Sequence, residues 1–244
     1  MNLRALSLAT LLLMSGCATV PNPVALPPVD ALLLGEHHDA AMHPQHHLEA
    51  VQTLARGGRL AALTLEMAEA GTSTAGLAAS SDEAAVRAAL RWSDEAWPWS
   101  RYGPAIMAAV RAGAPVLGAN MPMAGMRDAM REAALDGRLT APALQAQQQA
   151  IREGHCGLLP ESQIAPMTRI QIARDQAMAR TVAAAVVPGR TVLLVAGAGH
   201  VDEALGVPQH LPPGLRWQAL RWPGEPPQKD YCAALRESMA PRKP

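Results

Sequence analysis

Glu36, His37, His38 and Asp39 stand together at the end of the apolar run Ala31-Leu-Leu-Leu-Gly35. A carboxylate beside an imidazole can hold a neutral base near pH 7 or ligate a divalent metal. Three further apolar runs end in groups of the same kind: Glu66 after Leu60–Leu65, Asn120 after Pro115–Ala119, and His200 after Thr191–Ala196 and a Gly-Ala-Gly turn. Glu36, His38, Glu66 and His200 are therefore the candidate set for acid–base catalysis, or for a divalent metal such as zinc that activates water. Five of the eight histidines (37, 38, 43, 46, 47) fall within eleven residues. That density argues against a polar loop that carries histidines by chance.

For these groups to meet, the runs that precede them must lie parallel in one sheet, since ligands in an open α/β sheet bind just beyond the carboxyl ends of the strands. The pattern supports this. Strands are expected at 32–35, 60–67, 115–120, 191–196 and 215–222. Helices are expected at 43–56, from Ser81 or Asp82 to Arg91, from Pro104 to Ala112, at 122–135, 142–153 and 161–187. Strands alternating with helices predict a single α/β domain with a mainly parallel central sheet flanked by helices, built from βαβ units. Bland roles stand beside the chemical ones. Asn120 suits a helix cap as well as a site, Gln171 and Asp175 suit an exposed helix face, and His43, His46 and His47 suit solvated positions on the first helix. Met67, Met121, Met123 and Met126 read as packing residues.

Composition removes several function classes. The 21 Lys+Arg against 21 Asp+Glu give a formal net charge of +0, so no basic field points to nucleic acid. The glycines at 197 and 199 lack the third glycine of a dinucleotide fingerprint, and no Gly-x-Ser-x-Gly elbow of a serine hydrolase occurs. There is no Phe, so Ala, Leu, Val and Met must fill the core. The Trp92–Tyr102 segment, with three of the five Trp, stands out as core, as interface or as the wall of a site.

Residues 1–16 read as a signal peptide: Arg4, a short apolar stretch to Met14, then Ser15-Gly16. Met14-Ser-Gly-Cys17 resembles a bacterial lipobox, which implies lipidation of Cys17. Ala18 after it implies sorting to the outer membrane, with the mature chain tethered at the periplasmic face. Residues 17–29 form a Pro-rich tether and the folded domain spans 30–244. In an oxidising compartment the remaining Cys156 and Cys232 are expected as a disulfide. A metal site at His155 and Cys156 is the competing reading.

Taken in order, Gly-Glu-x-His after the first strand, Leu-Glu-Met after the second, Trp-Pro-x-x-x-Tyr, Val-x-x-x-Asn, Gln-x-x-x-Asp-x-x-Met-Ala and Ala-Gly-x-Gly-His resemble the ChaN family of haem-binding lipoproteins. Its more distant relatives are erythromycin esterases, TraB-type proteins and Tiki metalloproteases. The resemblance runs from Leu32 to about Leu211. It matches Gly35 and His38, Glu36, Glu66, Gln171, Asp175, His200 and Tyr102 to family positions, and leaves His37 without a counterpart. It implies haem for haem or iron acquisition, held between two subunits of a homodimer; with no Cys-x-x-Cys-His in the sequence, attachment is expected to be non-covalent. Tyr102 is then the expected axial donor, with His43, His46 and His47 as ligating or hydrogen-bonding groups and Arg101 on a propionate. The more distant relatives imply the alternative, an esterase- or peptidase-type hydrolase with Glu36, His38, Glu66, His200 and Asp175 as catalytic or metal-holding residues. A purely structural anchored protein is the third reading.

Overall fold

The computed structural model describes residues 26–226 and 229–240. The expected signal peptide, the Cys17 lipidation site and most of the tether lie outside these residues. Among the described residues no helix is long and apolar enough to cross a membrane.

Five strands form one parallel sheet: β1 (Ala31–Glu36), β2 (Leu60–Glu69), β3 (Val116–Asn120), β4 (Thr191–Gly197) and β5 (Trp217–Arg221), in the order β3-β2-β4-β1-β5. Side chains alternate across a strand, so each strand feeds two cores. Leu32, Leu34, Leu63, Leu65, Leu193 and Val195 pack under α1 (His43–Arg56), α2 (Glu83–Leu90) and α3 (Trp99–Arg111). Ala31, Leu33, Val192, Leu194 and Ala196 pack on the other face against Met178, Ala179 and Val182 of the long helix that leads into β4. The chain runs outward from β1 to β3, then crosses back to place β4 between β2 and β1. With right-handed crossovers that reversal changes the face the helices cover. The neighbouring strands β1 and β4 therefore send their connections to opposite faces, and a crevice opens where they part.

Local chemistry sets the remaining elements. Asp82 caps α2 by accepting from Ala85 N–H at 2.8 Å. α3 begins at Trp99, not at Pro104, which lies inside it. Asp94 Oδ1 accepts from Trp99 N–H at 2.9 Å, and buried Trp99 and Tyr102 anchor the first turn, so packing outweighs the proline's missing donor. The continuous helix expected over 122–135 is instead a short α4 (Met126–Arg131) between two 3₁₀ turns, Met123–Gly125 and Ala133–Arg138. After α5 (Ala141–Gly154), α6 (Glu161–Ala184) ends before the expected Val187. The C-terminal stretch folds into α7 (Tyr231–Met239), capped by Asp230 and tied to the α5–α6 loop by the Cys156–Cys232 disulfide, with Cα atoms 5.7 Å apart and a sequence separation of 76. That bond takes Cys156 out of the competing metal reading. Leu26 and Val29 pack against the α1–α3 core, and Arg59 donates to the carbonyls of Leu26 and Pro27, so ordered contacts begin ahead of Asp30.

Candidate functional site

The polar strand ends meet in an open cleft of about 490 Å³ lined by Glu36, His37, His38, Asp39, Glu66, Gln171, Arg174, residues 197–200 and Tyr231. It holds two carboxylate–histidine groups. In the first, Glu36 is 2% exposed. Its Oε1 accepts from Tyr102 OH at 2.6 Å and from His38 Nδ1 at 2.7 Å, which places the His38 proton on Nδ1 and leaves Nε2 for the cleft. Burial disfavours the Glu36 carboxylate, but the His38 hydrogen bond, the nearby His47 and the Tyr102 hydroxyl outweigh it and hold its pKa below the usual value. Burial likewise works against His38 as a cation, and the bond to Glu36 with the charge of Glu66 raises its pKa nonetheless.

In the second group, Glu66 Oε2 accepts from Gly197 N–H at 2.7 Å and Oε1 from Arg174 Nη2 at 2.6 Å, with His200 Nε2 at 3.4 Å. His200 Nδ1 lies 2.5 Å from Asp175 Oδ1, and the Gln171 amide is 3.1 Å from the same nitrogen. Burial opposes an imidazolium at His200, but Glu66 and Asp175 on either side push its pKa up to about 10. Burial pushes Asp175 up to about 6 despite His200. Glu66, buried yet flanked by His200 and Arg174, is held well below the usual carboxylate range. At neutral pH the second group is a network of two carboxylates matched by an imidazolium and a guanidinium.

Gly197 joins the two groups. A Cβ there would lie 3.0 Å from His38 Nε2 and 3.5 Å from Glu66 Oε2, so the bare backbone forms the cleft floor between them. Glu36, His38, Glu66 and His200 share the cleft, but among the described residues no three His, Cys, Asp or Glu side chains are grouped to hold an ion. Arg174 Nη2 and His200 Nε2 lie on the same Glu66 oxygen, at 2.6 and 3.4 Å.

Beyond Glu66 the cleft adjoins a slot of about 370 Å³. Its apolar lining is Met67, Leu90, Trp97, Met121, Met123 and Met126, and Glu66, Glu69, Asn120 and Arg91 contribute polar groups. The Trp97 and His38 ring centroids are 4.8 Å apart with the rings tilted by 62°, so the slot lies beside that imidazole.

The family of haem-binding uptake proteins of the Tiki superfamily, ChaN, matches residues 25–211. The chain belongs to this family. A solved structure of ChaN of Campylobacter jejuni, which shows cofacial haem binding, matches with a TM-score of 0.63 at 21% identity, over 83% of this chain and 85% of that one. Among curated proteins none matches in sequence.

Within this ChaN-family chain the structure sorts the sequence candidates. Glu36, His38, Glu66, Asp175 and His200 come together at one crevice. Asn120 joins them, because its Oδ1 accepts from Arg174 Nε at 2.9 Å and caps no helix. The candidates for direct haem contact are placed differently. Tyr102, His43 and His47 are 2%, 1% and 1% exposed, so none is a cleft-facing donor. Tyr102 spends its hydroxyl on Glu36, which pushes its pKa up after burial has done so. His43, His46 and His47 surround the Trp222 ring, with centroids 5.6, 4.9 and 5.6 Å away, and burial drives His47 down to about 4. Arg101 donates to the Ala40 carbonyl. Two cleft residues were not anticipated. Arg174 had only one signal, the need of Glu66 and Asn120 for a shared cation. Tyr231 had none beyond its place beside Cys232; its hydroxyl donates to Asp39 Oδ2 at 2.9 Å at the cleft mouth.

Proposed function

We propose that this chain is a lipid-anchored haem-uptake protein, lipidated at Cys17, on the periplasmic face of the bacterial outer membrane. It takes haem non-covalently, in a seat completed by a second copy of the chain. Haem needs an apolar slot, an accessible axial donor and a cation for a propionate. The methionine–tryptophan slot supplies the first and Arg91 the last. The observation that carries the reading is His38, an exposed imidazole beside that slot whose Nδ1–H is held by a buried carboxylate, the arrangement that fixes and strengthens an iron-binding histidine. His37 and Tyr231 are the other exposed donors on the cleft. The family membership supports the ligand, and the lipobox supports the location.

Titration of the purified chain with hemin tests this. A saturable Soret shift is expected, lost in His38→Ala and kept in Tyr231→Phe; loss only in Tyr231→Phe moves the axial role to the phenol. No shift in the unaltered chain overturns the haem reading. Sedimentation with and without hemin reads the dimer, and Cys17→Ala should release the protein from membranes. The hydrolase reading rests on the same couple, exposed His38 on buried Glu36. It gains support if ester or peptide hydrolysis depends on His38 while hemin does not bind.

A further inference from the structure

On the α6 face of the sheet, away from the cleft, Arg138, Arg180 and His210 line an open notch of about 480 Å³, with Gly137, Gln176 and Gln209 completing its lining. They come from three elements. Arg138 ends the 3₁₀ turn that follows α4, Gln176 and Arg180 lie one turn apart on α6, and Gln209 and His210 sit on the 3₁₀ turn Val207–His210. Residues four apart on a helix share a face, so Gln176 and Arg180 project together.

The charge of the notch is one-sided. No carboxylate lines it. Asp136, two residues before Arg138, is turned to Arg169, with oxygens 2.9 and 2.7 Å from Nε and Nη2. Asp175, next to Gln176, is turned to His200. Neither Arg138 nor Arg180 has an ion-pair partner among the described residues. His210 Nε2 is buried without a hydrogen-bond partner, an uncommon state for a polar atom. Burial, then the charges of Arg138 and Arg180, hold the His210 pKa below its ordinary value, which fits two guanidiniums facing the ring with no anion between them. Here two guanidiniums from two elements are held together beside a neutral imidazole, with no anion between them.

We infer that this notch binds an oxyanion of the phosphate class, clamped by Arg138 and Arg180 and completed by His210 and the two glutamine amides. Guanidiniums recognise such oxygens through paired charge-assisted hydrogen bonds. The phosphate is either a free ion or the headgroup of an anionic lipid. The site is independent of the haem reading, so hemin does not displace its ligand.

The test uses the full chain carrying Cys17→Ala, so that no lipid on that residue mediates membrane contact. Inorganic phosphate and pyrophosphate are titrated while the His210 ring signals are followed by NMR. Flotation is measured with vesicles of phosphatidylcholine alone or mixed with phosphatidylglycerol. Saturable His210 shifts with free phosphate or pyrophosphate, weakened about tenfold or more in Arg138→Gln and in Arg180→Gln, are expected for a free ion. Selective flotation with phosphatidylglycerol that both substitutions abolish, without a response to free phosphate, assigns the lipid headgroup. No response to either probe, or a response unchanged in both variants, overturns the site. Both arginines are exposed, and an unaltered melting temperature confirms that the variants are folded.

Discussion

Arg174 joins Glu66 to Asn120, its Nη2 lying 2.6 Å from Glu66 Oε1 and its Nε 2.9 Å from Asn120 Oδ1. One guanidinium on α6 thus ties together the ends of β2 and β3 and neutralises a carboxylate whose side chain is 3% exposed. Removing one partner of a buried pair leaves the other charge uncompensated. Arg174→Gln is therefore expected to lower unfolding free energy by about 3 kcal/mol in urea titrations at neutral pH. Arg174→Lys keeps the charge and loses the two-armed geometry, so it should fall between the two. Equal stability of all three chains would show that the bridge is not structural.

The Glu36–His38 couple makes a prediction of opposite character, about chemistry and not stability. His38 titrates above its ordinary value although burial pulls it down, because Glu36 accepts from Nδ1 and Glu66 lies across Gly197. In Glu36→Gln the acceptor charge goes and the burial stays. The His38 pKa followed by NMR should therefore drop toward or below 6.5. In Tyr102→Phe it should rise, since Glu36 loses a competing donor. A His38 pKa indifferent to both changes would mean that the hydrogen bond is not formed in solution.

How far these relationships were legible in the sequence depends on their range. An apolar run that stops at a polar residue is a local signal: it put Glu36 and Asn120 at strand ends and His200 in the turn after β4, whereas β2 runs on past Glu66 to Glu69. α1 is bounded as its periodicity indicates. Strand order is not local: nothing in residues 31–69 says that β4 will insert between β1 and β2. Pro104 and Pro166 both sit inside helices, because buried Trp99, Tyr102 and Ile164 fix those turns by tertiary packing. The same limit explains the aromatic and histidine candidates. Composition marked Tyr102, His43 and His47 as unusual, but could not tell a residue that supports Glu36 or packs on Trp222 from one that faces a ligand. Arg174 was invisible because a helical arginine looks solvated until its partners on two other elements are known.

The buried titrating groups confine maximal stability to a narrow range. His47 is driven down to about 4 from 6.5, so the folded state prefers it neutral and stability falls as pH drops through that interval. Glu66, held below the usual range, adds to the loss at lower pH. His200 is raised from 6.5 to about 10, so its contribution is complete below 6.5 and disappears as pH rises toward 10. Asp175, raised from 3.8 to about 6, has already given up stability by neutral pH. The melting temperature should peak between about pH 6 and 7 and decline steadily on the alkaline side. His200→Gln should be less stable at neutral and acid pH, lack that alkaline decline and approach the parent toward pH 10. A flat profile through the weakly alkaline range in the unaltered chain would contradict an imidazolium at His200.

Gly35 beneath the crevice and Gly197 on its floor should respond differently to the same added methyl group. At Gly35 a Cβ would lie 2.3 Å from Val201 Cγ2 and 3.2 Å from Ala198 Cα, inside a packed core where neither neighbour has room to retreat. Gly35→Ala is thus expected to destabilise by about 1–3 kcal/mol, the usual range for overpacking. At Gly197 the Cβ would meet the tip of His38 at 3.0 Å, and that side chain is 41% exposed, so the ring can move aside toward solvent. Gly197→Ala should stay close to the parent in thermal unfolding while the hemin affinity falls, because the displaced imidazole no longer faces the slot. The two measurements separate the roles. If Gly197→Ala bound hemin unchanged, His38 would not be the donor; if it unfolded as readily as Gly35→Ala, the cleft floor would be part of the core.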